Sequence, residues 1–438
     1  MGGGLIQLIR SNKDNYITGN PQMTFFKSVY KRNTNFSMET IEIPFNSDVT
    51  ANECTVTAKI SRNTGNLLEK MYLHVKLPDK ESAQDSSNLS DYIRWTNATG
   101  YAYIKECSIL IGNQEIDKHY SVWFDIWNEL TDVDNKEFVL VNKHNDKVSY
   151  LEEASNIKIE KLDMYIPLQF YFCKNPGLAL PLVSLQFVDV KIQITFRKLD
   201  FLINCTNNLQ TTITTAPTVK LFGNFIFLDK DEKRNFSSKP QEYLIEQVQH
   251  ISTTLTSSNE LNFNHMVKEL LWVCRSKNCD ETDPTTGSSP VDAATNAAFL
   301  NLEGDNDGMT KGNDYFDYSP NTKTNEEYTV NAVGYEPFGT ATIMLDGNKK
   351  FDNKEANYFR MIQPYYYHVK TPEKFIYNYS FALFPEKYQP SGFCDFSSFK
   401  SISLDFTSPL SNTDLLVFAV NYNVLKISDG MGGLAYVS

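Results

Sequence analysis

The stretch IGNQEIDKHYSVWFDIWNEL, from Ile111 to Leu130, gathers acids, a lysine, a histidine, a tyrosine and two tryptophans in twenty positions. Side chains of these types carry out general acid and base chemistry in enzymes. Asp117, Lys118 and His119 are successive residues, however, so neighbouring side chains point apart and do not easily converge on one substrate atom. The spacing therefore favours a structural segment over a catalytic one.

The same stretch predicts a hairpin followed by a helix. SILIGNQEIDKHY has the pattern of a strand, a Gly-Asn turn and a second strand, and a helical period begins at Ser121. Trp123 and Trp127 are four residues apart and Leu130 is three further on, which predicts one apolar stripe that packs the helix onto a sheet. The other faces of the helix carry Asp125, Asn128 and Glu129.

Searches for other catalytic motifs point the same way. The sequence contains no His-Glu-x-x-His, no Gly-x-Ser-x-Gly and no phosphate-binding Gly-x4-Gly-Lys-Ser/Thr pattern. GMGGLA, at Gly430 to Ala435, fits a dinucleotide-binding pattern, but it leaves no room before Ser438 for the helix that would hold the pyrophosphate. We therefore expect no catalytic residue, no cofactor and no metal site. The six histidines are scattered without ligand spacing, at His74, His119, His144, His250, His265 and His368.

Two further groups of residues raise the question of a metal. The acidic segment EGDNDGMTKGND, with Glu303, Asp305, Asp307 and Asp314, has spacings similar to a calcium loop. Its last ligand would be Asp rather than Glu and no flanking helices are predicted, so a solvated turn is the preferred interpretation. Cys274 and Cys279 form the one close cysteine pair, for which reduced, unpaired thiols are preferred over metal binding.

Composition excludes several classes of protein. A net charge of −12 argues against a protein that coats DNA or RNA, because such binding depends on Lys and Arg neutralising phosphates. No apolar run approaches the ~18 residues of a membrane span, the best being LLVFAV. With 29 Phe and 24 Tyr in 438 residues, the chain has ample apolar side chain for two large β-domains.

Short runs rich in Val, Ile, Tyr, Phe and Thr recur between Asn, Asp, Gly and Pro clusters, which predicts an all-β, antiparallel architecture. The clearest predicted strands are TVTAKI (55–60), MYLHVKL (71–77), VKIQITF (190–196), SISLDF (401–406) and LLVFAVNYNVLKI (415–427). The few predicted helices are short: SVWFDIWNEL near residue 125, PQEYLIEQVQ near 245 and NKEANYFRMI near 357.

The chain divides at a polar, Thr-rich segment near residues 204–218. We predict an N-terminal arm at 1–25, a first domain at 26–205, a linker at 206–218 and a second domain at 219–438. An Ile-x-Ile/Leu-x-Phe alternation about twenty residues after a proline ends both halves, which makes an internal duplication plausible. Residues 278–331 are polar and predict a long exposed loop.

Several stretches together resemble the major capsid proteins of the nucleo-cytoplasmic large DNA viruses, of the chlorella-virus and phycodnavirus type. They follow the family's order over nearly the whole chain: YITGNPQMTFFKSVYKRNTNF (16–36), the Ile111–Leu130 stretch, PLQFYFCKNPGLALPLVSLQFVDVKI (167–192), LDKDEKRNF with EYLIEQVQ (228–249), YSFALFPEKYQPSGFCDFS (379–397) and AVNYNVLKISDGMGGLAY (419–436). Departures at Gly112-Asn113 and in SRNTGNLL (61–68) fall at predicted turns.

The resemblance implies two consecutive eight-stranded antiparallel jelly rolls with a few short helices in loops. It further implies a homotrimer whose six similar lobes form a hexagonal capsomer, in contact with neighbouring capsomers, penton proteins and minor capsid proteins. Such a protein is made in the host cytoplasm and resides in the outer shell of the virion. The basic arm, with Arg10, Lys13, Lys27, Lys31 and Arg32, would lie toward an internal membrane, and the 278–331 loop would face outward, where glycans are common.

Two other functions are consistent with parts of the sequence. The aromatic content and polar loops suit a jelly-roll carbohydrate-binding, lectin-like protein, and a metal-dependent β-fold enzyme would need to use the scattered histidines. A structural capsid protein without enzymatic activity is the favoured interpretation, because the resemblance spans the chain and the catalytic motifs are missing.

Overall fold

The computed structural model describes residues 15–81, 92–132, 140–141, 149–150, 158–205, 213–276, 315–316, 318 and 336–436. Antiparallel sheets dominate these residues, and the prediction of an all-β chain with a few short helices is confirmed. The Glu303–Asp314 cluster lies outside the described residues, as do most of the predicted 206–218 linker and 278–331 loop.

The first half of the chain contains the strands β1 (Phe36–Ile43), β2 (Cys54–Ile60), β3 (Leu67–Leu77), β4 (Lys80–Glu81), β5 (Tyr92–Trp95), β6 (Ile104–Ile111), β7 (Gln114–Tyr120), β8 (Ser149–Tyr150), β9 (Lys158–Ile159), β10 (Leu162–Pro167), β11 (Val190–Phe196), β12 (Ile203–Cys205) and β13 (Thr218–Leu228). Its helices are Asn15–Thr18, Thr99–Tyr103, Ser121–Thr131, Tyr171–Lys174, Pro176–Leu178 and Leu199–Leu202.

The second half contains β14 (Gln241–Thr254), β15 (Ser258–Glu260), β16 (Met266–Ser276), β17 (Thr340–Leu345), β18 (Asn348–Lys349), β19 (Lys354–Glu355), β20 (Ile376–Ser380), β21 (Cys394–Asp395), β22 (Ile402–Phe406), β23 (Thr413–Ser428) and β24 (Met431–Leu434). Its helices are Lys230–Ser238, a π-helix at Tyr358–Ile362 that continues into an α-helix at Gln363–Tyr367, and Phe396–Ser398.

The two halves repeat one strand order, which defines two jelly rolls. In the first sandwich, one sheet has the order β1-β13-β3-β10 and the other β2-β11-β6-β7. In the second sandwich, the corresponding orders are β14-β23-β16-β20 and β15-β22-β17-β18. Each sandwich therefore pairs its first, eighth, third and sixth principal strands in one sheet and its second, seventh, fourth and fifth in the other. The predicted pair of consecutive eight-stranded jelly rolls is confirmed.

Strand β13 lies on the other side of the predicted domain boundary. The sequence analysis began the second domain at residue 219, yet Thr218–Leu228 pairs antiparallel with β3 and supplies the eighth strand of the first sandwich. Its side chains explain the placement, because Leu221 and Phe225 are fully buried in the first core. The polar segment near 204–218 is thus a connection within the first sandwich, and the chain passes to the second through the helix Lys230–Ser238.

The prediction of a helix near residue 245 is wrong. Gln241–Thr254 forms a fourteen-residue strand that pairs along its whole length with β23, from Gln241 opposite Ile427 to Thr254 opposite Asp414. The sequence EYLIEQVQ has apolar residues at both helical and alternating spacings, and the long apolar strand β23 beside it supplies a cross-strand neighbour for every residue.

Other local predictions are confirmed. The hairpin β6–β7 turns at Gly112, whose positive φ of 65° suits a residue without a Cβ. The helix predicted near 357 begins at Tyr358 and extends to Tyr367. No helix in the described part of the chain has the length and apolar character needed to cross a membrane.

Residues Met1–Phe36 form a separate compact unit from Ser37–Ser438. Its described part begins with the short helix Asn15–Thr18. Large apolar side chains in this unit are strongly exposed: Tyr16, Met23, Phe25, Phe26, Val29 and Tyr30 are between 65% and 98% accessible.

Candidate functional site: the junction between the sandwiches

The two sandwiches share a hydrophobic core. Strand β23 is buried on both faces, since Val417 and Ala419 point into the core of the second sandwich while Leu416 and Phe418 belong to the same apolar cluster as the core of the first. The outer face of the β14-β23-β16-β20 sheet, which solvent would cover in an isolated sandwich, is therefore the floor of the junction. Other residues on that floor are Ile245, Leu271, Val273, Ile376 and Val420.

The helix Ser121–Thr131 presses on this floor. The ring of Trp123 lies 5.7 Å from that of Phe418 and 5.5 Å from that of Trp127. On the adjacent strand, His250 lies 4.6 Å from Phe418 and 4.4 Å from Tyr120, so aromatic rings from both sandwiches form a continuous layer. Aromatic pairs at these distances add to the burial energy of the rings, which strengthens the docking of the sandwiches.

The helix departs from the prediction of a single buried stripe. Trp123 and Leu130 are fully buried as predicted, but Asp125, Asn128 and Glu129, predicted on other faces, are also no more than 3% exposed. The second sandwich encloses these faces, because Lys370 donates its backbone N–H to the carbonyl of Leu130 at 3.1 Å and its ammonium lies 3.7 Å from Glu129. The spacing of apolar residues within one helix does not predict burial by residues that are distant in the sequence.

Asp125 is the centre of the polar contacts that close the junction. Its carboxylate accepts hydrogen bonds from the Lys374 ammonium at 2.6 and 2.8 Å and from the Tyr318 hydroxyl at 2.8 Å. Asp125 is fully buried, so the two donors compensate the cost of removing a carboxylate from water. Burial, and then the neighbouring Asp125 carboxylate, raise the pKa of Tyr318, which keeps the hydroxyl a donor.

Part of the predicted exposed loop is buried at this site. Tyr315, Phe316 and Tyr318 are no more than 7% exposed and belong to the apolar cluster of the first sandwich. The Tyr315 hydroxyl donates to the carbonyl of Phe201 at 2.7 Å, and the Arg197 guanidinium lies 4.6 Å from the Tyr315 ring. The aromatic residues of the DYFDY motif are the sequence signal that marks this anchor within a polar stretch.

The structure brings Asp117 and His119 together, although the sequence analysis predicted that side chains from 117 to 119 point apart. Their Oδ2 and Nε2 atoms are 2.9 Å apart, because residues two apart in a strand share a face, while Lys118 points away and pairs with Glu106 at 2.7 Å. The second Asp117 oxygen accepts the backbone N–H of Val248 in β14 at 3.0 Å. Asp117 therefore joins the two sandwiches.

The Asp117–His119 pair lacks the access that catalysis needs. Both side chains are 2% exposed. A cavity of about 250 Å³ borders Asp117 but not His119, and its other lining residues include Gln114, Glu115, Lys118, Gln247, His265 and Tyr436. Burial raises the pKa of Glu115, and burial lowers the pKa of His265. Within the described residues no three His, Cys, Asp or Glu side chains are grouped so that they could hold a metal ion.

A second set of buried charges belongs to the second sandwich. His368, whose side chain is fully buried, lies 3.1 Å from Glu269 and 2.9 Å from Glu386 and contacts Asn378. Burial alone would lower the pKa of His368, but the hydrogen bonds that its ring donates to both carboxylates outweigh it and raise the pKa to about 9. Because His368 directly follows the helix 358–367, this cluster fixes the end of that helix on the sandwich.

Glu246 provides a further ion pair across the junction. It accepts from Lys268 of its own sandwich at 2.5 Å and from Lys174 of the first sandwich at 3.3 Å. Burial would raise the pKa of Glu246, but the two ammonium groups lower it on balance. Neither the Glu246 nor the His368 cluster was predicted, because their members are separated by up to 117 positions and follow no local spacing.

Comparisons with known proteins cover the whole chain. A family model described as major capsid protein N-terminus matches residues 24–229, and one described as large eukaryotic DNA virus major capsid protein matches residues 232–433. The border between them coincides with the end of β13. Over their full lengths, the chain and the major capsid proteins of Phaeocystis pouchetii virus and Paramecium bursaria Chlorella virus 1 are 34% and 32% identical.

Two solved structures are similar to nearly the whole chain. The quasi-atomic structure of the PBCV-1 virus capsid is 27% identical, with a TM-score of 0.73 over 95% of this chain and 100% of that one. The Faustovirus major capsid protein is 13% identical and has a TM-score of 0.70 over 93% of each chain, a likeness of fold.

Replacing Asp125 with Asn tests the polar centre of the junction. The change leaves the Lys374 ammonium without a countercharge in a largely buried site, so we expect a loss of about 3 kcal/mol in the free energy of unfolding. Urea denaturation followed by tryptophan fluorescence measures it. Asp352→Asn, which removes the exposed partner of Lys349, is the matched control and should change little. Equal effects of the two variants would contradict a special role for Asp125.

The His368 cluster predicts a loss of stability at alkaline pH. The pKa of His368 is raised from 6.5 to about 9, so its stabilising contribution is complete below pH 6.5 and disappears as the pH rises through about 9. We expect melting temperatures to fall across this range, and His368→Gln to flatten the fall. His250→Gln is the control, because burial lowers the pKa of His250 to about 4 and leaves it neutral throughout. If the melting temperature of His368→Gln fell with pH as steeply as that of the wild type, the assignment of this pH dependence to His368 would be wrong.

Proposed function

The chain belongs to the family of major capsid proteins of large eukaryotic DNA viruses, and from this premise we propose that it assembles as a pseudo-hexagonal homotrimer that tiles an icosahedral shell. The observation that carries the proposal is the shared core, which fixes two sandwiches of one topology to each other within a chain. Three such chains present six similar lobes, the number that a hexagonal tile requires.

The proposal includes the surroundings of the protein. The trimer contacts neighbouring trimers in the outer shell of the virion, and penton and minor capsid proteins occupy the positions that a six-lobed block does not fit. The chain is made in the host cytoplasm and acts without catalysis. The absence of catalysis is supported by the buried carboxylates of the junction, Asp117 and Asp125, which hydrogen-bond to groups of the second sandwich. The first sandwich extends to residue 229 and the second begins near Gln241, with the helix Lys230–Ser238 between them.

Light scattering after gel filtration tests the assembly. The purified chain should elute as one species of about three times 50.1 kDa and keep that mass on dilution, because an obligate interface buries roughly 2,000 Å² or more. A mass of one chain at every concentration would refute the trimer. A glycan array separates the lectin-like alternative, since a lectin binds free sugars with defined specificity and a capsid tile does not need to.

The N-terminal arm, together with residues 26–32 that follow it, is the proposed contact with an internal membrane and with minor capsid proteins. Phe25 and Phe26 are 87% and 98% exposed, and Lys27, Lys31 and Arg32 accompany them. Aromatic and basic side chains together suit the surface of an anionic bilayer.

Co-sedimentation of the full chain with vesicles tests this contact. We expect binding to vesicles that contain phosphatidylserine, weaker binding at high salt, and loss of binding when Lys27, Lys31 and Arg32 are all changed to Gln. Vesicles of phosphatidylcholine alone are the lipid control. Equal binding of the triple variant and the wild type would contradict an electrostatic contact through the arm.

A further inference from the structure

The two sandwiches carry a helix at the same place in their topology. In the first sandwich, the helix Ser121–Thr131 lies between the fifth principal strand, β7, and the sixth, β10. In the second sandwich, the helix 358–367 lies between the fifth principal strand, β18, and the sixth, β20. We call these the first and the second helix.

The second helix buries Phe359 in the core of its own sandwich, where its ring lies 5.2 Å from that of Trp272. The first helix also has an apolar partner surface on the other sandwich of the chain. It contacts the floor of the junction, the outer face of the β14-β23-β16-β20 sheet, through Trp123 and Phe418. The second helix instead presents a row of exposed apolar side chains. Among the described residues these are Met361, Ile362, Tyr365 and Tyr366, and the row continues at Val369, two residues beyond the helix, with exposed fractions from 44% to 71%. Contiguous apolar exposure of this kind marks a contact surface.

The first sandwich has a sheet face that corresponds to the floor of the junction. The outer face of its β1-β13-β3-β10 sheet corresponds strand by strand to the β14-β23-β16-β20 face. It carries an aromatic cluster in which the Tyr72 ring lies 5.2 Å from Phe222 and 6.2 Å from Tyr165, and Tyr165 stacks on His74 at 4.4 Å. Tyr165 is 41% exposed. We call this cluster the aromatic face.

Charged pairs surround the aromatic face. Asp163 bonds His74 at 2.7 Å and lies 3.4 Å from Lys76, and Lys220 bonds Glu42 at 3.0 Å. Burial would raise the pKa of Asp163, but the hydrogen bond to His74 and the nearby Lys76 lower it on balance, so this carboxylate is ionised at neutral pH. An aromatic centre within a polar rim is the composition of a protein–protein contact.

We propose that the second helix of one copy docks on the aromatic face of another copy, as the first helix docks on the floor of the junction within a chain. This inference rests on the proposed self-assembly and names its contact. The helix and the face are different surfaces of one polypeptide, so the contact is head-to-tail, and repetition of it generates a closed ring. One chain already displays the docking mode, because the two sandwiches are equivalent and joined by this pair of elements.

Charge substitutions on the two surfaces test the contact by complementation. Tyr365→Glu places a charge on the second helix and Tyr165→Glu places one on the aromatic face, and each should weaken assembly by about thirtyfold or more and leave the chain monomeric at micromolar concentration. A mixture of the two variants retains one intact helix and one intact face. It should therefore form a 1:1 heterodimer that grows no further, measured by light scattering and native mass spectrometry.

The controls separate folding from assembly. Phe187→Glu makes the same change at an aromatic side chain that is 77% exposed and belongs to neither surface, and it should assemble like the wild type. Circular dichroism and melting temperature establish that each variant is folded, and Tyr366→Glu and Tyr165→Arg replace any variant that is not.

Each outcome decides the question. A wild-type chain that stays monomeric refutes the proposed function itself. If the wild type assembles and both surface variants assemble equally well, the contact lies elsewhere and this inference fails while the proposed function stands. Folded monomeric variants that give no heterodimer on mixing would show that the surfaces do not pair with each other, which also overturns the inference.

Discussion

The double burial of strand β23 is the constraint on which the rest of the molecule depends. Leu416 and Phe418 point to one sandwich and Val417 and Ala419 to the other, so a single strand belongs to two cores. Hydrophobic burial has no direction of its own, and a continuous apolar layer alone would allow the sandwiches to slide. The relative position is fixed where polar groups meet in specific pairs, as Asp117 does with the Val248 backbone and Asp125 with Lys374.

These polar pairs also give a structural role to a stretch with the composition of an active site. Carboxylates and a histidine are useful to an enzyme when one of their atoms is free to meet a substrate. At the junction the carboxylate oxygens of Asp117 and Asp125 accept hydrogen bonds from a backbone N–H group, an ammonium and a tyrosine hydroxyl of the other half of the chain. The same chemistry that would move a proton in an open pocket here specifies how two domains are joined.

The fold was largely predictable, and the junction was not. Alternating strands, the β6–β7 hairpin and the helix from Ser121 follow from local periods, so sequence analysis found them. Gln241–Thr254 was misassigned because its strand character comes from pairing with β23, about 180 positions away. Folding alone brings together the partners that bury Asp125, anchor Tyr318 and form the cluster around His368. The predicted boundary at 219 was wrong because β13 pairs into the same sheet as β1.

The chain position of β23 has a consequence for biosynthesis. All eight principal strands of the first sandwich have been translated once Leu228 has left the ribosome, whereas the strand that covers Trp123 ends at Ser428, which is 428 − 228 = 200 residues later. At typical rates of elongation the interval is on the order of ten seconds or more. During this interval the helix that carries Trp123 and Trp127 is not covered by β23. Exposed apolar surface of this kind is bound by chaperones and promotes association between nascent chains.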